Sequence, residues 1–566
     1  MLVRSTRRVT GSPARFDLEG DLVCLGSGLG SLSAAVAGCD GGLEVVVLEK
    51  APKLGGVSAY SAGEVWLADN PKMRARGIED SPSAGRRYLE FMSAGHADPE
   101  LLGALLANAP DAVDYFERRA GLRWHCLEKI PDYYYPRVES AHRGGRLLCV
   151  DLFHGVELGP WQSKVLQSPH MPQGLTHADL ERFGGLANVA AWGYELLAQR
   201  IEQDWRATGP ALAASFVKAA LVDRGIPAFL DCPARGLVVE AGRVVGVRAE
   251  RDGRDFLVRA RRGVVIAIGG YDHDEALAKR YEAVPEWKSM CPPYLHGDHF
   301  ALGADAGAAV AAVPPTNLGM FLGYHVPGEE HAGAPLYRTA WECGCPHTLV
   351  VNRRGERFCD ESFYKDYQPR LRHWDGHAQT LPNLPCFLIF DESYRERFPI
   401  GTTPPGVPLP EALAVRAESP RALAGLLGID ADGLEATLAR FNGFAREGVD
   451  RDFGRGRYGW SAGMVGDGQQ KNPSLGALEK APYYGMRLSL VGAGINSHGL
   501  RTDPFARVVH ARGHAIPGLY AAGNSAALLD LGAGYQSGVA NLRALTWGFV
   551  AGRHAAGLPE TASPAH

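Results

Sequence analysis

Apolar positions along the chain gather into short unbroken runs set between glycine-rich turns. That is the pattern of strands buried on both faces of a parallel sheet. Residues 21–25 form the first run. It meets the turn Gly26-Ser-Gly-Leu-Gly30 and then a stretch of small residues, 32–39, that suits a helix packed close on a sheet. A second run, 45–48, ends on Glu49. Further along, 212–224 predicts a helix, 236–240 and 244–249 a hairpin about Gly242, and 264–268 another buried strand. Residues 518–522 predict a short strand running into Gly523 and Asn524, with a hairpin segment at 499–503 before it and a helix following Gly538.

Strand, glycine turn, helix and acid together predict a dinucleotide site. Gly26 and Gly28 let the backbone turn tightly and approach a pyrophosphate. The helix opening near Gly30 aims its N–H groups and positive dipole end at that phosphate. Glu49, about 20 residues on, is placed for a ribose hydroxyl. Ser27 lies inside the turn, and Ser31 stands where the motif has its last glycine. After Glu49 comes Lys50-Ala-Pro-Lys-Leu-Gly-Gly-Val-Ser-Ala-Tyr-Ser-Ala-Gly63, which resembles the stretch that wraps the flavin in flavoproteins. Gly55, Gly56, Ser58, Ala59, Ser61 and Gly63 are small enough there for backbone amides to reach a cofactor. Ala267 and Gly269 close the 264–268 strand, and Gly523, Asn524 and Gly538 return the chain to the same place. The expected fold is α/β. A Rossmann-like domain for non-covalent FAD is split between residues 1–273 and 474–566, around an inserted α+β capping and substrate domain at 274–473. Within that insertion, 297–307 predicts a glycine-capped helix, and 411–446 predicts helices separated by Gly428 and Gly433.

Composition removes other classes. The net charge is −4 with no basic tract, which excludes nucleic acid as the expected partner. No apolar run approaches the ~20 residues of a membrane span. Residues 1–15 carry Arg4, Arg7, Arg8 and Arg15 without an acid, but lack the apolar core of a secretory signal. A frayed basic terminus and a cytoplasmic enzyme are expected, with peripheral membrane contact left open for a lipid substrate. The Pro-, Ala- and Ser-rich tail after Gly557 reads as disordered. Ten cysteines in 566 residues are no disulfide framework. Cys343-Gly-Cys345-Pro-His347 lacks a nearby fourth ligand, so no metal is expected.

Three further segments are Pro131-Asp-Tyr-Tyr-Tyr-Pro136 with Gly144-Gly-Arg146, Val351-Asn-Arg-Arg-Gly-Glu-Arg-Phe-Cys-Asp-Glu-Ser-Phe-Tyr364, and Gly534-Tyr-Gln-Ser-Gly538. With the flavin segments they resemble the 3-ketosteroid dehydrogenases of the fumarate reductase flavoprotein group, over roughly 21–552. The resemblance implies desaturation of an apolar 3-ketosteroid, with electrons passed on to an external acceptor such as a quinone. It makes Tyr535 the hydroxyl donor to the ketone oxygen. Val539 becomes the backbone N–H donor at a position where Δ1 members carry glycine. It makes Tyr364 the base, although many Δ1 members place that tyrosine one residue later, at Lys365 here. Tyr133 assists it, with Tyr134 and Tyr135 as rivals. Hydrogen bonding from Tyr133 and the charge of Lys365 are expected to lower the Tyr364 pKa, with a rate that climbs toward alkaline pH. Ser537 favours the sister Δ4-(5α) activity, while the Pro-Asp-Tyr segment favours Δ1. A fumarate-type reduction is a third reading, with His498 and Arg543 as candidate cations. A flavin binder without activity is the fourth.

Overall fold

The computed structural model describes residues 15–186, 188–315 and 319–559. Nearly all of the basic N-terminal stretch and the tail from Glu560 onward lie outside the described residues. The central sheet has eight strands. Leu18–Leu25 lies parallel between Val45–Leu48 and the second half of Arg254–Ile266. Ala228–Phe229 extends one side in parallel and Ala515–Ala521 the other. The register sets Cys24 beside Val47 and Val265, and all three are fully buried. An unbroken apolar run is what such a two-sided position requires. The first half of Arg254–Ile266 pairs with Arg243–Arg251, and that strand with Ala234–Glu240, so the hairpin about Gly242 forms.

The helix after the glycine turn, Leu29–Asp40, packs along Val539–Ala555. Glycine makes this contact. A Cβ on Gly548 would lie 2.4 Å from the Gly30 carbonyl oxygen, and one on Gly552 2.5 Å from that of Ala34. The two helices therefore touch backbone to backbone, and the C-terminal segment is fixed against the glycine turn.

A second region carries two four-stranded sheets. Met320–His331 pairs with Ala334–Thr339 and Ser489–Gly492, and Phe387–Asp391 pairs with Thr348–Val351 and Tyr483–Arg487. The strands at 483–492 thus belong with the inserted sheets, whereas the sequence assigned everything after 473 to the returning part. The chain re-enters the central sheet at Arg507–Val509. Gly428 separates helices Pro420–Leu427 and Ala431–Glu447 as expected. Gly433 does not. It lies within the second helix, where a Cβ would stand 2.0 Å from the Arg354 carbonyl oxygen.

Candidate active site

A cavity of about 900 Å³ runs from the glycine turn to the tyrosine segments. At the turn, Gly26 has φ +88°, and a Cβ there would meet the Ala267 carbonyl oxygen at 2.5 Å. Only glycine lets the turn seat against that strand. Gly28 differs. A Cβ on it would meet nothing nearer than Ser58 Oγ at 3.6 Å, on the cavity wall. Glycine at 28 therefore keeps a cradle clear. Ser31 donates its hydroxyl to the Gly26 carbonyl at 2.6 Å, which absorbs the departure from the motif.

Glu49 is buried at the cavity wall. Ser27 Oγ donates to its Oε2 at 2.6 Å and the Ala51 N–H to its Oε1 at 2.7 Å. Burial pushes its carboxyl up, and those bonds oppose the shift. Gly30, Gly56, Ser58 and Ser61 line the same wall, as do Ala267, Gly269, Gly523, Asn524 and Gly538. Lys50 lines it too, its amine turned to Asp298 at 2.7 Å. Gly55, Ala59 and Gly63 stand behind the wall. Gly55 donates its N–H to Ser27 Oγ at 3.0 Å, Ala59 is fully buried, and Gly63 packs on Thr208. An open cradle at a helix N-terminus with a held acid beyond it fits the pyrophosphate and ribose of FAD.

The other end is aromatic. The ring centres of Tyr133 and Tyr364 are 5.3 Å apart, edge to face, and Tyr535 lies 6.5 Å from Tyr133. Trp460 packs on Tyr133 at 4.9 Å and on Tyr364 at 5.4 Å. Of the run 133–135, Tyr133 alone lines the cavity; Tyr134 packs on Phe91 and Phe363. The motif neighbours hold this arrangement. Gln536 Oε1 accepts from the Tyr133 N–H at 2.9 Å and from the Tyr88 hydroxyl at 2.6 Å. It thereby ties the 131–136 segment to the residue beside Tyr535. Arg146 bridges Asp132 and Asp80 in the interior. Arg357 pairs with Glu361 and Asp450 below Tyr364, the first residue of helix Tyr364–Leu371.

The Tyr364 and Ser537 hydroxyls are the side chains that most oppose the burial of the Tyr133 phenol. Burial pushes all three phenols well above the ordinary tyrosine range, and the crowding of neighbouring tyrosines adds to the shift for Tyr133 and Tyr364. This corrects the expectation of a lowered Tyr364. The Lys365 amine lies 4.9 Å from the Tyr364 ring centre and 4.8 Å from that of Tyr535, yet burial drives its own ionisation well below the usual lysine value. It is therefore no fixed cation for stabilising a phenolate.

Two more of the expected residues are bonded within the protein. The Val539 N–H donates to the Gln536 carbonyl at 3.2 Å, and its side chain sits in the core rather than on the cavity wall. It is spoken for by the turn that starts the last helix. Ser537 lines the cavity, but its hydroxyl donates to Glu64 Oε2 at 2.6 Å. Neither cation of the reductase reading reaches the cavity. Arg543 is clamped by Asp530 at 2.6 Å, and His498 stacks on Tyr281 at 4.1 Å. Cys345 Sγ donates to the Val465 carbonyl, and His347 Nδ1 pairs with that of Ala477. Among the described residues no helix is long and apolar enough to cross a membrane.

Glu64 and His177 escaped the sequence reading. Both are buried and both line the cavity. The available signal was an acid directly after Gly63 that opens the apolar strand Glu64–Trp66.

Residues 21–539 match the family described as FAD binding domain. The chain is similar to 4-oxocyclohexanecarboxylate 2-dehydrogenase of Sinomonas cyclohexanicum, with 34% identity over 95% of this chain and 93% of that one. It is similar also to 3-oxosteroid 1-dehydrogenase of Mycobacterium tuberculosis, with 32% identity over 95% of this chain and 98% of that one. Its fold superposes on the crystal structure of 3-ketosteroid Δ1-dehydrogenase from Sterolibacterium denitrificans in complex with 1,4-androstadiene-3,17-dione. The TM-score is 0.86 at 30% identity, covering 95% and 99% of the two chains.

Proposed function

The chain belongs to the FAD-dependent 3-ketosteroid dehydrogenase family, within the fumarate reductase flavoprotein group, and from that premise we propose that it introduces a C1–C2 double bond into ring A of a 3-ketosteroid. The observation that carries this reading is the convergence of Tyr133, Tyr364 and Tyr535 on the cavity that begins at the glycine turn.

In this reading the Gly26–Ser31 turn and the first turn of helix Leu29–Asp40 hold the pyrophosphate of FAD, and Glu49 holds a ribose. When bound, FAD supplies the two-electron acceptor for the β-hydrogen. The remaining work falls to side chains. Tyr535 donates its hydroxyl to the ketone oxygen, and so stabilises the enolate-like charge that makes the α-proton removable. Tyr364 takes that proton, and Tyr133, packed edge to face against it, orients it. Phe321, Trp460 and Ile495 give the substrate an apolar wall that excludes water. The electrons then leave to an external acceptor, for which a quinone is proposed.

A second reading, desaturation of a monocyclic 4-oxo acid, is favoured by the 34% relative. Such a substrate needs a cation for its carboxylate. Arg338 lines the cavity, but it is committed to Glu329 at 2.7 Å and to the Pro169 carbonyl at 3.0 Å. That commitment favours the steroid.

The test is anaerobic stopped-flow reduction of the bound flavin by a 3-ketosteroid, with the product double bond identified afterwards. Wild type bleaches and forms the 1,2-alkene. Tyr364→Phe keeps its flavin and binds product, yet fails to bleach, while Tyr367→Phe stays active. Fast bleaching in Tyr364→Phe overturns the assignment of the base. Bleaching by 4-oxocyclohexanecarboxylate alone transfers the reading to the monocyclic acid.

A further inference from the structure

We propose that Ser537, Glu64 and His177 form the route by which the α-proton leaves the tyrosines, with the Glu64 carboxylate as the group that receives it. This deepens the desaturase reading and rests on it.

Desaturation leaves one proton per turnover on a base that is almost wholly buried. Tyr364 is 8% exposed and Tyr133 2%. A base that cannot pass its proton on works once. A resting phenolate is also costly here, because burial disfavours the charged form of both phenols. The side chains around them offer a way out of both difficulties.

Tyr364 packs edge to face on Tyr133 with ring centres 5.3 Å apart, and the Tyr133 phenol feels the hydroxyls of both Tyr364 and Ser537. Ser537 Oγ donates to Glu64 Oε2 at 2.6 Å. The other carboxylate oxygen, Oε1, lies 3.0 Å from His177 Nδ1, in contact but not aligned as a hydrogen bond. A small turn of the imidazole completes the link. A serine hydroxyl can accept one hydrogen bond while donating another, so each member can take a proton on one side and release one on the other. Segments 64–66, 131–136, 177–183, 364–371 and 534–538 each contribute one member. Only the cavity brings them together.

Among the described residues Glu64 has no arginine partner. The buried acids Asp132 and Glu361 are each met by an arginine within 3 Å. Glu64 is met by a hydroxyl and an imidazole. The other ionisable groups facing it are Tyr133, Tyr535 and, on the paired strand, Cys149. None of these is a fixed cation.

The proton count closes as follows. The α-proton arrives on the Tyr364 oxygen as the Tyr364 proton moves to Tyr133. The Tyr133 proton moves to Ser537, and the Ser537 proton to the Glu64 carboxylate. No phenol is left charged. Glu64 then hands its proton to His177 on the cavity wall, and the imidazole releases it. In this proposal the Glu64 carboxylate draws the α-proton away, with the tyrosines as conductors.

The test uses the flavin-loaded enzyme with 4-androstene-3,17-dione, or with 4-oxocyclohexanecarboxylate if only that ketone bleaches wild type. If neither bleaches it, the functional reading falls and the relay falls with it. If wild type bleaches, the relay is judged alone. Glu64→Gln keeps the shape and an acceptor for Ser537, but cannot take the proton. It is expected to retain flavin and product binding while first-turnover bleaching slows about 100-fold or more. The pH profile separates a relay from a merely structural role. A resting phenolate base makes the rate climb about tenfold per pH unit through neutrality. With the relay, the wild-type rate is flat through neutrality, and the climb appears only in Glu64→Gln. His177→Ala is expected to slow turnover, with added imidazole restoring it. Bleaching at the wild-type rate in Glu64→Gln overturns the proposal. So does a wild-type profile that climbs throughout, or a His177→Ala defect that imidazole leaves untouched.

Discussion

Two of the buried glutamates on the cavity wall, Glu49 and Glu64, lie 15 residues apart in sequence and are built differently. Both accept a serine hydroxyl at 2.6 Å, Glu49 from Ser27 and Glu64 from Ser537. They part at the second oxygen. That of Glu49 is fixed by the Ala51 backbone N–H, a donor that never titrates. That of Glu64 faces the His177 imidazole, the side chain whose charge changes most readily near neutral pH. The first arrangement suits a group that must stay an acceptor. The second suits a group that must gain and lose a proton. The two ends of the cavity follow the same division. On the proposed mechanism the glycine end works through backbone and small residues, and the aromatic end through side chains that exchange protons.

The sharpest way to break this comparison is to fill the glycine end. In Gly28→Arg a side chain enters the open cradle beside Ser58. The variant is expected to purify colourless while keeping its fold, checked by absorbance near the flavin bands and by circular dichroism. Full flavin content would mean that the pyrophosphate lies elsewhere. The next largest effect is at the aromatic end. Tyr535→Phe is expected to keep its flavin and lose about 10²–10³ in the rate of bleaching, the usual cost of one oxyanion donor. If flavin is lost instead, Tyr535 belongs to the holding end and the division fails.

The same division explains how much the sequence disclosed. The glycine end was legible because its parts are local. Residues 26–63 carry the turn, the acid and the small residues in one stretch, and spacing alone fixes which of them meet. The split central sheet was legible too, since each strand is an unbroken apolar run. The aromatic end was not legible from spacing. Tyr133, Tyr364 and Tyr535 are joined only by tertiary contacts, and the family resemblance supplied them. Two of the residues it named have local bonds that spacing does not disclose. Val539 gives its N–H to the Gln536 carbonyl because it opens a helix, and Ser537 donates its hydroxyl to Glu64. Glu64 itself has no motif. Its meaning lies in His177, 113 positions away (177 − 64), which no periodicity connects to it. The boundary near 473 was misplaced because an extended run at 483–492 suits either region, and only strand pairing decides between them.

The smallest effect is the most exacting test of the comparison. Ser27→Ala removes the hydroxyl from Glu49 and leaves the Ala51 N–H in place. Burial already raises the Glu49 carboxyl above the ordinary glutamate range, and the Ser27 bond is the largest of the contacts that pull it back. Without that bond the ionisation moves further up. A protonated carboxyl is a poorer acceptor for a ribose hydroxyl, so flavin is held less tightly wherever Glu49 is protonated. The sign follows directly. In wild type, flavin affinity weakens as pH falls through the Glu49 ionisation, and in Ser27→Ala the same weakening begins at higher pH. At neutral pH the loss is expected to be about tenfold in affinity, about 1.4 kcal/mol, the scale of one charge-assisted hydrogen bond. At saturating flavin the bleaching rate should be unchanged, because Glu49 holds the cofactor and exchanges no proton with the substrate. The measurement is flavin titration of the apoenzyme across pH, beside stopped-flow bleaching at saturating FAD. A slowed bleaching rate at full occupancy, or an affinity that ignores pH in both proteins, would show that the two glutamates are not divided into a holder and a carrier.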